Sequence, residues 1–338
     1  MIGAIAEKEF RDYLTSRRFL IFFGFLLVVM VLALIQVKLN IEVISLGGMS
    51  SGESTRKVYE VMFGVTSNLQ FVGAIFALAL GFDAITRERE DRTLKVLMSH
   101  PVFRDQVILG KLLGGAITLA FAVLVTGLVV TGMLVWAGVT IDSYTRLITY
   151  FLFAYLYLFL FFTMAVAFSA YAKKSGNALM YSLVMFLIFI VVIMTVAPVV
   201  ARVIVGPQPK MPPELQAMSQ KIHSSKNVTL AELNKYEKLM EEYENKTMEW
   251  GRRYWKTEYY ITMLSPMNDF QVISDYVLDP YKESSESYFI PHSPTEKVPK
   301  YSLSESLSFA KKEIITLFAY IILWFVLAYL GFVRAEIR

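Results

Sequence analysis

The sequence predicts an all-α integral membrane protein. Six transmembrane helices, an N-terminal interfacial helix and a helical extracytoplasmic domain between the fifth and sixth spans account for it. Three observations carry this reading. Charged residues make up only 18% of the 338 residues, where a soluble domain carries roughly a quarter. Hydrophobic residues reach 55% and the mean hydropathy is +0.49. The charges are also unevenly placed, so that long stretches hold none.

A bilayer core about 30 Å thick needs roughly 20 apolar residues as helix. Six runs qualify: Phe19 to Val37, Leu69 to Ile85, Leu112 to Trp136, Leu147 to Tyr171, Ala178 to Val200, and Ile314 to Val333. The second is the shortest, with Asp83 near its end and Thr66 to Asn68 extending it. The first is too long for a signal peptide and lacks a small-residue cleavage site.

Lysine and arginine in the short connections set the orientation. Lys8, Arg11, Arg17 and Arg18 precede the first span. Arg87, Arg89, Arg92, Lys95, Arg104 and Lys111 follow the second, Lys173 and Lys174 the fourth, and Arg334 and Arg338 the sixth. These regions alternate as one side of a membrane must, so both termini are expected in the cytoplasm. The opposite short links hold only Arg56, Lys57 and Arg146.

The expected organisation follows. Residues 1–18 form an amphipathic interfacial helix with Ile2, Ala6, Phe10, Tyr13 and Leu14 on one face. Residues 19–200 hold five spans, with a cytoplasmic coupling helix at about 87–104. Residues 201–310 form an extracytoplasmic helical domain, and 311–338 the last span and a short tail. Inside 201–310, Thr229-Leu-Ala-Glu232 and Ser302-Leu-Ser-Glu305 are capping boxes that open helices. An aromatic group, Trp250, Tyr254, Trp255, Tyr259 and Tyr260, suits packing or a bilayer interface better than a ligand surface.

Several function classes are excluded or weakened. There is no cysteine, hence no disulfide, thiolate metal site or cysteine nucleophile. The three histidines, His100, His223 and His292, are far apart and without ligand spacing, so no metal site is expected. No Gly-x-x-x-x-Gly-Lys-Ser/Thr phosphate loop is present, so the chain is not expected to be an ATPase. A net charge of +4 argues for neither nucleic acid nor acidic substrates. Within the spans, Asp83 has Arg87 one turn below it, a spacing that suits an ion pair at the cytoplasmic edge. Gly73, Ala77 and Gly81 make a small-residue ridge for packing within the chain or against a second copy. Asn68 and Gln70 could face a translocation path or the interface.

The stretch after the second span is the most informative. It runs Arg87-Glu-Arg-Glu-Asp-Arg-Thr-Leu-Lys-Val-Leu-Met-Ser-His-Pro-Val-Phe-Arg104. Acidic residues at its start oppose a helix dipole, Pro101 ends the helix, and an apolar group between them could fill a groove. The bland alternative is a solvated charged turn. This stretch resembles the signature of type-2 ABC transporter permeases, through Glu88, Arg89, Glu90, Thr93, Leu94, Leu97, Pro101, Val102, Arg104, Gly110 and Lys111. Where that family often has glycine before the threonine, this chain has Arg92. Lys8-Glu-Phe-Arg11, the six-span layout and the long segment before the last span add to the resemblance. Ser265-Pro-Met-Asn268 is similar to an element of the branch related to the nitrous-oxide-reductase maturation permeases.

The resemblance implies a permease subunit that exports an unidentified substrate as a dimer, a homodimer by expectation, within membrane lipid. Two copies of a separate cytoplasmic ABC ATPase would bind ATP and magnesium. ATPase coupling would fall to Glu88, Arg89, Glu90, Thr93, Leu94, Leu97, Pro101 and Arg104. Two alternatives stand beside it: a non-transporting membrane scaffold that holds a partner through its external domain, and an intramembrane enzyme, for which the catalytic groups are missing.

Overall fold

The computed structural model describes residues 2–46, 58–92, 103–139, 141, 143–223, 229–282 and 299–334. Among these there is no strand. Six helices are long and apolar enough to cross a membrane: Arg17–Gln36, Val61–Glu90, Arg104–Trp136, Tyr144–Tyr171, Ser175–Val205 and Lys311–Arg334.

In chain order the helices are α1 (Ile2–Thr15), α2 (Arg17–Leu46), α3 (Val58–Asn68), a π-helical turn (Leu69–Gly73), α4 (Ala74–Gly81) and α5 (Thr86–Glu90). Then come α6 (Arg104–Trp136), α7 (Tyr144–Tyr171), α8 (Ser175–Leu187), a second π-helical turn (Ile188–Val192) and α9 (Ile193–Val205). The last are α10 (Pro213–His223), α11 (Leu230–Thr262), α12 (Pro266–Leu278), α13 (Leu303–Phe309) and α14 (Lys311–Arg334).

The second span starts well before its apolar run. Three polar residues sit in the extension, and each satisfies itself on its own helix. Thr66 Oγ1 donates to Met62 O at 2.8 Å, Ser67 Oγ to Phe63 O at 3.0 Å and Asn68 Nδ2 to Gly64 O at 2.9 Å. A polar side chain bonded back to the preceding turn exposes little unpaired polarity to lipid.

The contacts divide the chain into two compact units. The first holds the described residues up to 188, with 266–282 and 299–334; the second holds the described residues of 189–265. The division by contacts falls at other positions than the expected topological boundaries at 201 and 310. Helix α12 does not join a separate external body. It packs against α7, α14, α3 and α13 inside the first unit.

The first unit is built around α7 and the second span. The most apolar windows of these two spans are 67% and 78% buried, against 28% for the first and sixth spans, which places them at the centre. Tyr150, Tyr157, Phe161 and Phe162 of α7 are buried with Phe76 of α4 and Phe270 of α12. The Tyr157 ring stacks on Phe270 with centroids 4.6 Å apart. The aromatic richness of the fourth span is therefore core packing. Leu20, Phe25, Leu128 and Ile148 are exposed and apolar, as lipid-facing side chains are.

The ridge Gly73–Ala77–Gly81 is covered from within the same chain. A Cβ at Gly81 would lie 2.6 Å from Phe162 O, and one at Gly73 would lie 3.0 Å from Leu158 Cδ2, both on α7. The ridge is thus not open to a second copy. A second small-residue pair, Gly110 and Gly114 on α6, receives α1. A Cβ at Gly110 would lie 2.6 Å from Ile5 Cγ2, and one at Gly114 would lie 2.6 Å from Glu9 Cβ. Helix α1 buries Ala6 and Glu9, and α6 is its main partner. The expected interfacial helix therefore turns its inner face to protein.

In the second unit α9 packs along α11. Gly206, at φ +88, ends α9 in a conformation that glycine adopts without strain. Its carbonyl accepts the Trp250 indole N–H at 3.0 Å, and Trp250 stacks on Tyr254. The aromatic group of α11 is in part a packing seam. Both capping boxes form. The Glu232 carboxylate accepts the Thr229 N–H at 3.1 Å, and Glu305 accepts the Ser302 N–H at 2.7 Å.

Candidate functional site

Four charged residues of the stretch after the second span, Glu88, Arg89, Glu90 and Arg104, are anchored to other parts of the chain. Glu88 Oε1 accepts a hydrogen bond from Lys111 Nζ at 2.7 Å. The same ammonium donates to Glu9 Oε1 at 3.0 Å. The Lys111 side chain is only 2% exposed, Glu9 9% and Glu88 18%, so this three-membered ion cluster is withdrawn from water. It joins α1, α5 and α6.

Lys8 sits over the cluster, 3.4 Å from Glu9 and 3.8 Å from Glu88. Partial burial works against its charge, but Glu9, Glu88 and Asp12 outweigh that and hold its ammonium above the ordinary lysine range. The Tyr13 phenol is pushed well above its usual range, by burial first and by the carboxylates of Glu9, Asp83 and Glu88 next. A cavity of about 690 Å³ opens here, lined by Lys8, Glu9, Tyr13, Arg18, Asp83, Glu88 and Lys111 among others.

The next two residues, Arg89 and Glu90, each reach a different span end. Arg89 donates to Ala172 O at 2.6 Å and Ala170 O at 3.3 Å, where α7 terminates. A cation on the last carbonyls of a helix also complements its dipole. Glu90 accepts the Ser175 N–H at 2.9 Å and its hydroxyl at 2.8 Å, capping α8 from outside that helix. Ser169 Oγ of α7 accepts the N–H groups of Ile85 and Thr86, both at 3.1 Å. Arg104, on the first turn of α6, donates to Val333 O at 3.1 Å, at the end of α14. One short stretch thus holds α1, α6, α7, α8 and α14.

The Asp83–Arg87 ion pair does not form. The helix breaks into a turn over 82–85, and Arg18, arriving on α2, takes the Asp83 carboxylate. Arg87 turns to Asp91 at 3.8 Å. Thr93, Leu94, Leu97 and Pro101 lie outside the described residues. Gln70 is not on an open path. It is 3% exposed, its side-chain amide donates to Met267 O at 3.1 Å, and its backbone carbonyl accepts the Tyr157 hydroxyl at 2.8 Å. A buried amide with those partners is a packing joint. Asn68, half-buried, is bonded to its own helix.

Sequence reasoning quoted Lys111 and Glu9 within motifs but missed that the two are buried and paired. The signal was present in the spacing Gly110-Lys111-Leu-Leu-Gly114, since two glycines four apart bring another helix close enough for Lys111 to meet it.

Arg92 is the non-glycine residue with a positive φ among those described, at +60. A family model described as ABC-2 family transporter protein matches residues 3–337. The chain belongs to the ABC-2 transporter family. It is 31% identical over 126 residues to the probable ABC transporter permease protein NosY of Pseudomonas aeruginosa, covering 37% of this chain and 42% of that protein. It is 32% identical over 122 residues to the protein of the same name from Stutzerimonas stutzeri, covering 36% and 41%. The matched region is about two-fifths of the length of either relative.

The left-handed backbone at Arg92 accounts for the glycine that ABC-2 permeases often carry at this position. A side chain there costs about 1–2 kcal/mol, part of which glycine gives back as unfolded-chain entropy. Arg92→Gly is therefore expected to stabilise the protein by about 0.5–1 kcal/mol. A thermal-unfolding midpoint above that of the unaltered chain checks it.

Proposed function

We propose that this chain is the membrane-spanning permease subunit of an ABC transporter, driven by a separate cytoplasmic ATPase that docks on residues 87–104. The carrying observation is the anchoring of that one stretch to five helices through Glu88, Arg89, Glu90 and Arg104. A push on the stretch would reach the ends of α7, α8 and α14 directly, and α1 and α6 through Lys111. Four of the eight residues expected to meet the ATPase instead hold the stretch to the spans. Contact with the ATPase falls to the exposed Arg87, Asp91 and Arg92 and to the residues that follow.

In this reading ATP and magnesium act in the partner ATPase. Two permease copies and two ATPases form the working unit, both termini are cytoplasmic, and the substrate is exported. The names of the NosY relatives support the permease reading. The lysine and arginine bias of the short links supports the orientation.

The test is reconstitution of the full chain with its cognate ATPase in lipid vesicles. ATP hydrolysis is expected to rise above that of the ATPase alone, and Arg89→Gln to lower that stimulation while the complex still forms. If the ATPase does not bind, the proposal fails. If it binds and is not stimulated, the chain is a scaffold.

A further inference from the structure

Two of the described spans contain a π-helical turn, Leu69–Gly73 in the second and Ile188–Val192 in the fifth. A π-helical turn holds more residues than an α-helical one. Where the ladder steps back to α register, a carbonyl is left without its usual amide partner. Buried away from water, that carbonyl needs another donor.

In both turns a hydroxyl from elsewhere in the chain is that donor, and it acts at the same position. Within the first unit, Tyr157 of α7 donates to Gln70 O at 2.8 Å. Within the second, Ser265, the residue before α12, donates to Phe189 O at 2.8 Å. Gln70 and Phe189 are each the second residue of their turn. Both hydroxyl residues and both acceptor residues are buried. The Gln70 side chain also donates to Met267 O at 3.1 Å. The Ser265-Pro-Met-Asn268 element, which the anchoring of residues 87–104 does not use, thus contributes one contact to each turn.

A return from π to α register slides one side of a span against the other by one residue. That is a rotation of about 100° and a shift of about 1.5 Å. The carbonyl then recovers its own amide and the outside hydroxyl is released. For the carbonyl, one buried hydrogen bond replaces another, so the two registers lie close in free energy and one hydroxyl can decide between them.

We propose that the two π-helical turns are register switches of the second and fifth spans, each latched by one hydroxyl, Tyr157 for the second and Ser265 for the fifth. What moves the switches rests on the permease reading. The second span continues through α4 and α5 into residues 87–104. The turn at 69–73 therefore lies between the ATPase-facing stretch and the far end of the span.

The test is the rate at which single cysteines react with a lipid-soluble maleimide, in the full chain in lipid nanodiscs. The chain has no cysteine of its own. Phe63→Cys and Ile75→Cys lie on opposite sides of the first turn, and Leu187→Cys and Val196→Cys serve the second. All four positions are exposed, and each borders a buried residue: Met62, Ala74, Phe186 and Ala197. A one-residue slip must therefore withdraw one member of each pair from lipid. Tyr157→Phe is expected to shift the register balance of the second span about ten- to a hundredfold. Labelling at Phe63→Cys or Ile75→Cys then slows severalfold, while Leu128→Cys on α6, also exposed, is unchanged. Ser265→Ala does the same to the second pair. Labelling that stays the same, or that rises at every position, would overturn the proposal by making the hydroxyls packing joints only. If Tyr157→Phe does not fold, Ser265→Ala decides. With the cognate ATPase bound, ATP is expected to slow the same positions in chains that keep both hydroxyls. If the ATPase does not bind, the permease reading fails while the variants still decide the switch. If it binds and ATP protects no position, the switches take no part in the cycle and the proposal is overturned.

Discussion

Lys111→Met is expected to destabilise the protein by about 3–5 kcal/mol, the usual cost of removing one partner from a buried ion cluster. Methionine fills the volume of the lysine stem but leaves Glu9 and Glu88 facing each other. Both are largely buried, so water cannot stand in for the ammonium. Lys8 is a weak substitute, because it is more than half exposed and lies 3.4 and 3.8 Å away. Thermal unfolding in nanodiscs measures the loss. The triple variant Glu9→Gln, Glu88→Gln, Lys111→Met separates charge from packing. It is expected to recover most of the stability, since neutral amides no longer repel. Recovery of stability without recovery of ATPase stimulation would place Lys111 in transmission as well as in folding.

Arg146→Met is expected to cost a similar amount, about 3–5 kcal/mol, as buried acceptors lose a charged donor. The guanidinium donates to Val277 O at 2.9 Å, Tyr276 O at 3.3 Å, Tyr301 O at 2.6 Å and Ser306 Oγ at 3.3 Å. These acceptors belong to the end of α12 and to the approach to and first turns of α13. Arg146 is therefore the clamp that binds both to α7. Lysine cannot replace it, since one ammonium does not span the fork. Hydrogen exchange should show the loss first in α12 and α13, with α6 unaffected. Uniform loss across the bundle would show that the clamp is not local.

The two residues show why some of the molecule was legible in sequence and some was not. The six spans follow from runs of apolar residues that only a bilayer or a core can accept, and their number is read directly. The Gly73–Gly81 ridge was visible as spacing, but only the fold shows that α7 covers it. Lys111 and Arg146 each read as ordinary basic residues near a span end. Their burial depends on partners 102 and up to 160 positions away, which no local pattern encodes. Helix α12 reads as a soluble segment because it is 13 residues long and holds Asp269 and Asp275. Its place among the spans rests on tertiary contacts alone. The stretch after the second span was singled out by its charges together with its resemblance to the permease signature. Those charges were expected to face a partner, and Glu88, Arg89 and Glu90 face the chain instead. A charged run has the same composition whether it docks outward or anchors inward.

The central claim is that an ATPase drives this chain through residues 87–104, and cysteine cross-linking tests it most directly. The chain has no cysteine, so one introduced thiol is unique. Arg92→Cys places it on the exposed turn of the stretch, and Glu241→Cys places a control on the exposed face of α11. With a thiol-to-amine cross-linker and the cognate ATPase present, the account predicts a permease–ATPase product from Arg92→Cys whose yield changes when ATP is added, and none from Glu241→Cys. No product from Arg92→Cys, or equal products from both positions, would contradict it.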